Sequence, residues 1–220
     1  MIDFSKHYNK EYFNWQKKVG IFGAKANMFK FSKSLRHDLI ILDYGCGGGY
    51  LLKEINCKKK IGIEPNITAR KQVLENGITN IYENIDDCLN DFKGKVDLII
   101  SNHALEHSFN PLIELTKLKD ILKVGGKIHF VVPNESISYK YDPVRDKNNH
   151  LYCWSPMSLG NLFKEAGFNV FYSKKLIHKW PPYYRWFAKF GWRFFNIICI
   201  IYGHLARNWF QVEILAEKRK

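Results

Sequence analysis

Residues 42–52 read Leu-Asp-Tyr-Gly-Cys-Gly-Gly-Gly-Tyr-Leu-Leu and join an apolar run to a helical pattern. Three glycines alternate in this glycine loop, at Gly45, Gly47 and Gly49. They let the backbone turn sharply and approach a ligand without side-chain interference. Asp43 precedes the loop, and a second apolar run, 61–63, ends at Glu64, an acid placed to bind both hydroxyls of a ribose. The order of these features predicts a site for a nucleotide-containing cofactor.

The spacing of the glycines bears on which class of cofactor binds. A dinucleotide site has the pattern G-x-G-x-x-G, in which the third glycine packs the helix against the strand. Tyr50 stands three residues after Gly47, where that glycine would be. This mismatch weakens the dinucleotide interpretation.

Short apolar runs alternate with helical patterns beyond the loop. The runs lie at 39–42, 61–63, 96–100 and 128–132, and helices are predicted at 47–56, 66–76, 110–122 and 155–166. Continuous apolar runs indicate strands buried on both faces, as in a parallel sheet. The alternation predicts a doubly wound α/β fold. Residues 210–216 alternate like a strand with one face in solvent.

Several segments resemble one known family. They are 43–49 with Glu64, 97–107, 118–127, and the stretch from His150-Leu151-Tyr152 to Glu165-Ala166-Gly167-Phe168. Together they resemble class I S-adenosylmethionine-dependent methyltransferases. The last stretch is similar to a subgroup with ubiquinone-pathway O-methyltransferases and enzymes that modify envelope sugars. Val124 stands where the family's Leu-Lys-Pro-Gly-Gly turn has proline. The resemblance covers roughly residues 38–175.

The resemblance implies a single methyltransferase domain over 1–220, on a doubly wound, mostly parallel seven-stranded sheet. Its implied parts are N-terminal cover helices at 1–35, a cofactor-binding core at 36–175, an apolar and basic helical insertion at 176–208 and a last strand at 209–217. The aromatic residues of the first part, with helical spacing, are Tyr8, Tyr12, Phe13 and Trp15. They resemble the helix that covers the cofactor pocket in this subgroup.

The cofactor implied by the resemblance is S-adenosylmethionine, with S-adenosylhomocysteine as product. The implied cofactor-binding residues are Asp43, Gly45, Cys46, Gly47, Gly49, Glu64, Pro65, Asn84, Ile85, Asn102 and His103. The glycine loop would hold the methionine part of the cofactor and Glu64 its ribose. Asn102 and His103 would bracket the sulfonium.

Histidines are the predicted catalytic residues. Methyl transfer from a sulfonium mainly requires alignment of nucleophile, methyl and sulfur. A hydroxyl acceptor must also lose a proton, and histidine is the usual base near neutral pH. His103 and His150 are therefore predicted to act as base or substrate ligand, whereas His107 is expected to pack or cap. No metal site is expected, and the five cysteines form no Cys-x-x-Cys pair.

Segment 183–206 is strongly apolar with one narrow polar stripe, and it predicts one helix whose apolar surface is not fully buried within a monomer. Lys189 and Arg193 fall inside any window long enough to span a membrane, so no span is expected. The net charge of the chain is +13, and 174–220 holds ten Lys or Arg against two acids. Packing within the chain, a homodimer interface and peripheral contact with an anionic membrane remain alternatives.

The sequence as a whole predicts an enzyme that methylates a small molecule or an envelope sugar, at oxygen. The alternative is a lipid- or quinone-directed methyltransferase at the membrane surface. A more distant alternative is a cofactor- or nucleic-acid-binding protein without transfer activity, although no nucleic-acid module is visible and no such partner is expected. Free cysteines and an N-terminus without an apolar run predict a cytoplasmic location, with or without contact at the inner face of the membrane.

Overall fold

The computed structural model describes residues 10–134, 141–142 and 149–219, and for 10–16 and 18 the backbone alone. Within these residues, seven strands form one sheet. The strands are β1 (Ile40–Tyr44), β2 (Lys59–Ile63), β3 (Asn80–Tyr82), β4 (Val96–Asn102), β5 (Leu122–Pro133), β6 (Phe168–Leu176) and β7 (Gln211–Lys218). The helices are α1 (Lys10–Phe31), α2 (Tyr50–Glu54), α3 (Ile67–Glu75), α4 (Ile85–Phe92), α5 (Pro111–Ile121), α6 (Pro156–Glu165), α7 (Tyr184–Ala188) and α8 (Trp192–Ala206).

The strand order is β3-β2-β1-β4-β5-β7-β6. The first five strands in this order are parallel, and β7 runs antiparallel to both β5 and β6. The direction of winding reverses between β1 and β4, which opens a crevice at the carboxyl ends of the strands. The predicted doubly wound, mostly parallel seven-stranded sheet is confirmed.

Alternating strand residues bury the two faces of the sheet in separate cores. Leu42, Ile99 and Phe130 belong to the core that includes residues of α4, α5 and α6. The neighbouring residues Ile41 and Ile100 belong to the other core, with residues of α2 and α3 and with Phe31 at the end of α1. Burial on both faces explains why these strands are apolar runs rather than alternating patterns.

Capping residues fix where the helices begin. Asn66 accepts hydrogen bonds from the Thr68 and Ala69 amides at 2.8 and 3.0 Å and so starts α3 directly after β2. Pro111 and Pro156 occupy the first turns of α5 and α6, where a missing amide proton costs nothing. These residues therefore set the first residue of each of the three helices.

Three local expectations are wrong. The helix predicted at 47–56 is confined to α2, because Gly47 and Gly49 have φ of 53° and 73°, values that a right-handed helix excludes. The single helix predicted at 183–206 is two helices, interrupted at Gly191 with φ 101°. The last strand does not face solvent on one side, because Gln211 and Glu213 of β7 are buried.

Helix α1 packs beside the crevice through an aromatic cluster. Phe22 contacts Trp180, Tyr184, Trp192 and Phe195 at centroid distances of 4.9–5.6 Å. The cluster joins α1 to the segment between β6 and β7. Of the aromatic residues of the predicted cover helix, Tyr8 and the side chains of Tyr12, Phe13 and Trp15 lie outside the described residues.

In the described part of the chain, no helix combines the length and the apolar character that a membrane crossing requires.

We expect Gly45→Ala to destabilise the fold more than Gly125→Ala. Both glycines have φ near 70°, where alanine costs about 1–2 kcal/mol. A Cβ on Gly45 would clash with the Cβ of Ala104, whereas one on Gly125 would meet no described atom within 4 Å. Overpacking should add about 1–3 kcal/mol at Gly45, measured by urea unfolding. Equal losses for the two variants would contradict this account.

Candidate active site

The glycine loop folds back onto the neighbouring strand. The amides of Gly45 and Cys46 donate to the Ile63 carbonyl at 2.9 and 3.1 Å, and the Gly49 amide donates to Cys46. The hydroxyl of Ser101 donates to the Tyr44 carbonyl at 2.8 Å and ties the ends of β1 and β4 together. These bonds hold the loop at the crevice, with its backbone exposed to a ligand.

Glu64 closes the other side of the loop. Its carboxylate accepts hydrogen bonds from the Gly47 and Asn66 amides, both at 2.9 Å. Burial raises the pKa of Glu64, and the two amides and the Arg70 charge oppose that rise. Each carboxylate oxygen has a second lone pair. The carboxylate can therefore accept further bonds from a pair of ligand hydroxyls.

A cavity of about 320 Å³ lies over this carboxylate. The predicted cofactor residues that line it are Gly45, Gly47, Glu64, Pro65, Asn84, Ile85 and His103. Asn84 also caps α4, since its side chain accepts from the Asp87 amide at 2.9 Å. Tyr44 lines the floor and donates a short hydrogen bond to Glu114.

A second cavity, of about 640 Å³, lies between the glycine loop, α1 and the segment between β6 and β7. Its walls include the aromatic residues Tyr50, Trp180 and Trp209. Four residues line both cavities: Gly45, Gly47, His103 and His107. A group carried in the first cavity can therefore face a molecule bound in the second.

The remaining predicted cofactor-binding and catalytic residues lie at the second cavity, except Gly49. Asp43, Cys46, Asn102 and His150 line the second cavity and not the first. Gly49 lines neither cavity; it is the N-cap residue of α2, where a Cβ would crowd Val73 and Ile78. Burial raises the pKa of Asp43 well above its usual value, and the charge of Glu64 adds to the rise.

His103 occupies an unusual backbone position at the junction of the two cavities. Its φ is 59°, a left-handed conformation that few residues other than glycine adopt. Its Nδ1 lies 3.2 Å from Glu106 Oε1 and its Nε2 lies 3.0 Å from Gln211 Oε1. Its ring stacks on Trp209 at a centroid distance of 6.0 Å. Strain of this kind is typical of residues held for function.

Lys30 and Gln211 line the second cavity, and sequence reasoning missed both. The Lys30 ammonium donates to Asn102 Oδ1 at 2.8 Å and to Gln211 Oε1 at 2.5 Å. Lys30 lies in the last turn of α1 and Gln211 begins β7, so the contact joins residues 181 positions apart. The alternating polar residues of β7 were the available signal. Such alternation is typical of a strand with one face in solvent, and only the assembled sheet shows that these residues lie beside α1.

The comparisons with known proteins agree with this geometry. The family model for a methyltransferase domain matches residues 23–173. The ubiquinone biosynthesis O-methyltransferase of Vibrio parahaemolyticus is 33% identical over 106 residues, 44% of this chain and 45% of that protein. That of Nitrosococcus oceani is 36% identical over 104 residues, 44% of each chain. This chain thus spans less than half the length of these curated relatives.

Solved structures show the same fold. An S-adenosylmethionine-dependent methyltransferase from Archaeoglobus fulgidus superposes with a TM-score of 0.66, 20% identity, and coverage of 94% of this chain and 99% of that chain. One from Thermotoga maritima gives a TM-score of 0.65, 17% identity and 95% coverage of both chains.

The fold and its glycine loop define a class I methyltransferase, and the chain belongs to the methyltransferase domain family. S-adenosylmethionine is its cofactor. The residues fit that group, because the backbone of the glycine loop approaches the first cavity without side chains and the Glu64 carboxylate borders it.

We expect Glu64→Ala to weaken the binding of S-adenosylhomocysteine by about 1–3 kcal/mol, the size of hydrogen bonds lost from a charged acceptor. Isothermal titration calorimetry on purified protein measures this change. Glu75→Ala is the matched control, because Glu75 is an exposed carboxylate at the end of α3 that lines neither cavity. Wild-type affinity in Glu64→Ala, or no affinity in the wild type, would contradict the assignment.

We expect stability to depend on pH through Lys30. Burial lowers the pKa of Lys30 to about 7, against the opposing charges of Glu106 and Glu213. Between pH 7 and 10.5 the unfolded chain then holds a proton that the folded chain does not. The free energy of unfolding should therefore rise with pH, by up to about 1.4 kcal/mol per unit.

Urea unfolding of wild type and Lys30→Met between about pH 7.5 and 9.5 measures this slope. The rise should be smaller in Lys30→Met, whereas the exposed control Lys33→Met should keep the wild-type slope. Parallel curves for wild type and Lys30→Met would refute the role of Lys30.

Proposed function

We propose that this protein transfers a methyl group from S-adenosylmethionine to an oxygen atom of a small-molecule acceptor. The observation that carries the proposal is the junction of the two cavities at Gly45, Gly47, His103 and His107. The cofactor occupies the first cavity, with Glu64 on the ribose and with Pro65, Asn84 and Ile85 at the adenine end. Asn102 and His103 lie at the methyl group. The whole chain acts as one domain.

The acceptor binds in the second cavity, whose walls favour a ring. Trp180 and Trp209 supply flat apolar surface, and Lys30 and Asn102 supply polar groups at its base. The names of the curated relatives, ubiquinone biosynthesis O-methyltransferases, support a hydroxylated aromatic acceptor. An envelope sugar would use the polar groups and leave less contact with the tryptophans. A panel of phenols, catechols and hexoses with labelled cofactor separates the two classes.

His103 is the proposed base. Its Nδ1 bonds to the Glu106 carboxylate, which fixes the ring and stabilises a positive charge on it. Its Nε2 lies beside the Oε1 of Gln211, an atom that only accepts hydrogen bonds, so Nε2 would take the hydroxyl proton only when an acceptor hydroxyl replaces Gln211 beside it. His150, from the same cavity, would contact the acceptor.

We expect His103→Ala to lower the single-turnover rate of methyl transfer by about 10²-fold or more, the usual contribution of a general base. Binding of S-adenosylhomocysteine should change far less, since Glu64 and the glycine loop remain. His37→Ala, an exposed histidine between α1 and β1, is the control. If His103→Ala and His150→Ala both keep the wild-type rate across pH 6–9, transfer needs no histidine base and an already ionised acceptor becomes the better explanation.

A second acceptor class, a lipid or quinone at a membrane surface, is favoured by the exposed face of α7 and α8. This apolar face consists of Trp186, Phe190, Phe194, Ile197, Ile201 and Leu205, spaced three or four residues apart and all exposed. Its aromatic members touch in series at centroid distances of 4.8 and 5.9 Å. The expected incomplete burial of this segment is thus confirmed within the described residues.

We propose that the apolar face contacts an anionic membrane. Residues 166–212 contain seven Lys or Arg and no Asp or Glu. Arg185, Lys189 and Arg193 lie in or beside the two helices and are exposed. Apolar surface flanked by positive charge is the combination that binds an anionic bilayer interface. Trp180 and Lys179 line the second cavity, and α7, which carries the first residue of the face, begins four residues after Trp180.

Sedimentation with vesicles of phosphatidylglycerol and phosphatidylcholine tests this contact. We expect the wild type to pellet in low salt and to be released in high salt, because salt screens the exposed charges. Ile201→Glu should abolish pelleting, whereas Leu74→Glu should not. The two residues are equally exposed, at 51% and 52%, and Leu74 lies on α3.

A dimer in light scattering that ignores vesicles would instead assign the apolar face to a homodimer interface and refute the membrane proposal.

A further inference from the structure

The side-chain amide of Gln211 is held in one orientation by its neighbours. Gln211 is buried at the start of β7, and its Oε1 accepts a hydrogen bond from the Lys30 ammonium at 2.5 Å. Its Nε2 donates to the His178 carbonyl at 3.3 Å. The reverse orientation would place the amide NH₂ against an ammonium and the amide oxygen against a carbonyl, without a hydrogen bond in either place. The Oε1 atom therefore points towards Lys30, and there it also lies 3.0 Å from His103 Nε2.

This orientation determines whether Nε2 of His103 carries a proton. Because Gln211 Oε1 only accepts hydrogen bonds, the 3.0 Å contact is a hydrogen bond only when Nε2 is protonated. An unprotonated Nε2 would place two acceptors against each other, and in a buried site such a lost bond is costly. Nε2 is thus a donor when Gln211 lies beside it, and a donor cannot act as a base.

The other ring nitrogen of His103 meets a second acceptor. Its Nδ1 lies 3.2 Å from Oε1 of Glu106, a fully buried residue. Burial by itself would raise the pKa of Glu106, but the hydrogen bond and charge of His103, with the charge of His107, lower this pKa below its usual value. Glu106 is therefore ionised near neutral pH and can only accept. A ring between two acceptors makes both hydrogen bonds only as an imidazolium, with a proton on each nitrogen.

The surroundings of the ring accommodate a positive charge. The Glu106 carboxylate compensates it, and the ring stacks on Trp209 at a centroid distance of 6.0 Å, within the range at which aromatic faces attract cations. The opposing charge is Lys30, which shares Gln211 Oε1 with His103. Burial lowers the pKa of Lys30 to about 7. A neutral amine keeps two N–H groups, so Lys30 can lose its charge and still donate to both of its amide acceptors.

Two further titratable groups lie close to this network. Burial, with the charge of Lys30, lowers the pKa of His178 to about 4, so its ring is neutral near pH 7. Glu213, two residues along β7, bonds to His129 and Tyr172 and acts on Lys30 through its charge. Among the described residues, neither the His178 ring nor the Glu213 carboxylate bonds to His103, so Gln211 and Glu106 decide where its protons lie.

We propose that Gln211 is a positioning residue for His103: it holds a proton on Nε2 and so keeps His103 from acting as a base until the amide leaves that atom. The consequence for catalysis rests on the proposed function. When an acceptor hydroxyl takes the place of the amide, the Nε2 proton passes to solvent through the second cavity, which His103 lines. The freed lone pair then accepts the hydroxyl proton. His103 thus becomes a base only with an acceptor in place.

Nitrogen-15 NMR of the full chain, with labelled histidine and without cofactor or acceptor, tests the proposal. The ring shifts show which nitrogens carry protons, and the spectrum of His103→Ala identifies the His103 signals. An ordinary histidine is mostly neutral at about pH 7.5. At this pH we expect wild-type His103 to carry both protons, Gln211→Met to lose the Nε2 proton, and Gln211→Glu to retain it. Gln72→Met, the same substitution on α3 outside both cavities, should match the wild type.

An unprotonated Nε2 in the wild type would overturn the proposal, and so would a protonated Nε2 in Gln211→Met. If Gln211→Met does not fold, Gln211→Asn replaces it, because a side chain shorter by one methylene also withdraws the oxygen from Nε2. Titration of the same samples with S-adenosylhomocysteine separates the two proposals. A chain in which Gln211 controls Nε2 but which binds no S-adenosylhomocysteine keeps the positioning role and loses the proposed function. The reverse result loses the positioning role alone.

Discussion

Gln211 Oε1 meets both Lys30 Nζ, at 2.5 Å, and His103 Nε2, at 3.0 Å, and the site depends on this buried bridge. It joins α1, β7 and the end of β4, three parts of the chain that no local signal brings together. On one side the bridge continues to Asn102, and on the other it continues through His103 to Glu106. A buried polar network is stable only when its members are satisfied, so α1 has to lie over the strand ends for β7 to be buried.

Features that depend on adjacent residues could be predicted from the sequence, whereas the residues of this bridge could not. The glycine loop, Glu64 and the four central strands could be predicted from local patterns. Closely spaced glycines indicate positive φ, and continuous apolar runs indicate strands buried on both faces. Lys30 and Gln211 escaped prediction because each resembles an ordinary surface residue until the sheet is assembled. The break at Gly191 escaped for a different reason: helical spacing continues across it, and only the backbone dihedral at the glycine changes direction.

The segment between β6 and β7 lines the second cavity and also carries the exposed apolar face. His178, Trp180 and Trp209 line the second cavity, and the apolar face lies between Trp180 and Trp209 in sequence. Inside, Phe195, Cys199 and Gly203 of α8 are buried, with Phe195 packed against Phe22 of α1. The inner side of α8 therefore packs on α1, the helix that carries Lys30.

The chain as a whole is positively charged, whereas several residues that line its cavities are carboxylates. The chain carries a net +13, yet the carboxylates Glu64 and Glu114 line the first cavity and Asp43 lines the second. Burial raises the pKa of Asp43 and of Glu64, because a buried carboxylate is poorly solvated. A cation in the cavity relieves that cost. If S-adenosylmethionine binds there as proposed, its positive sulfonium would relieve part of that cost, and the neutral sulfide of S-adenosylhomocysteine would not.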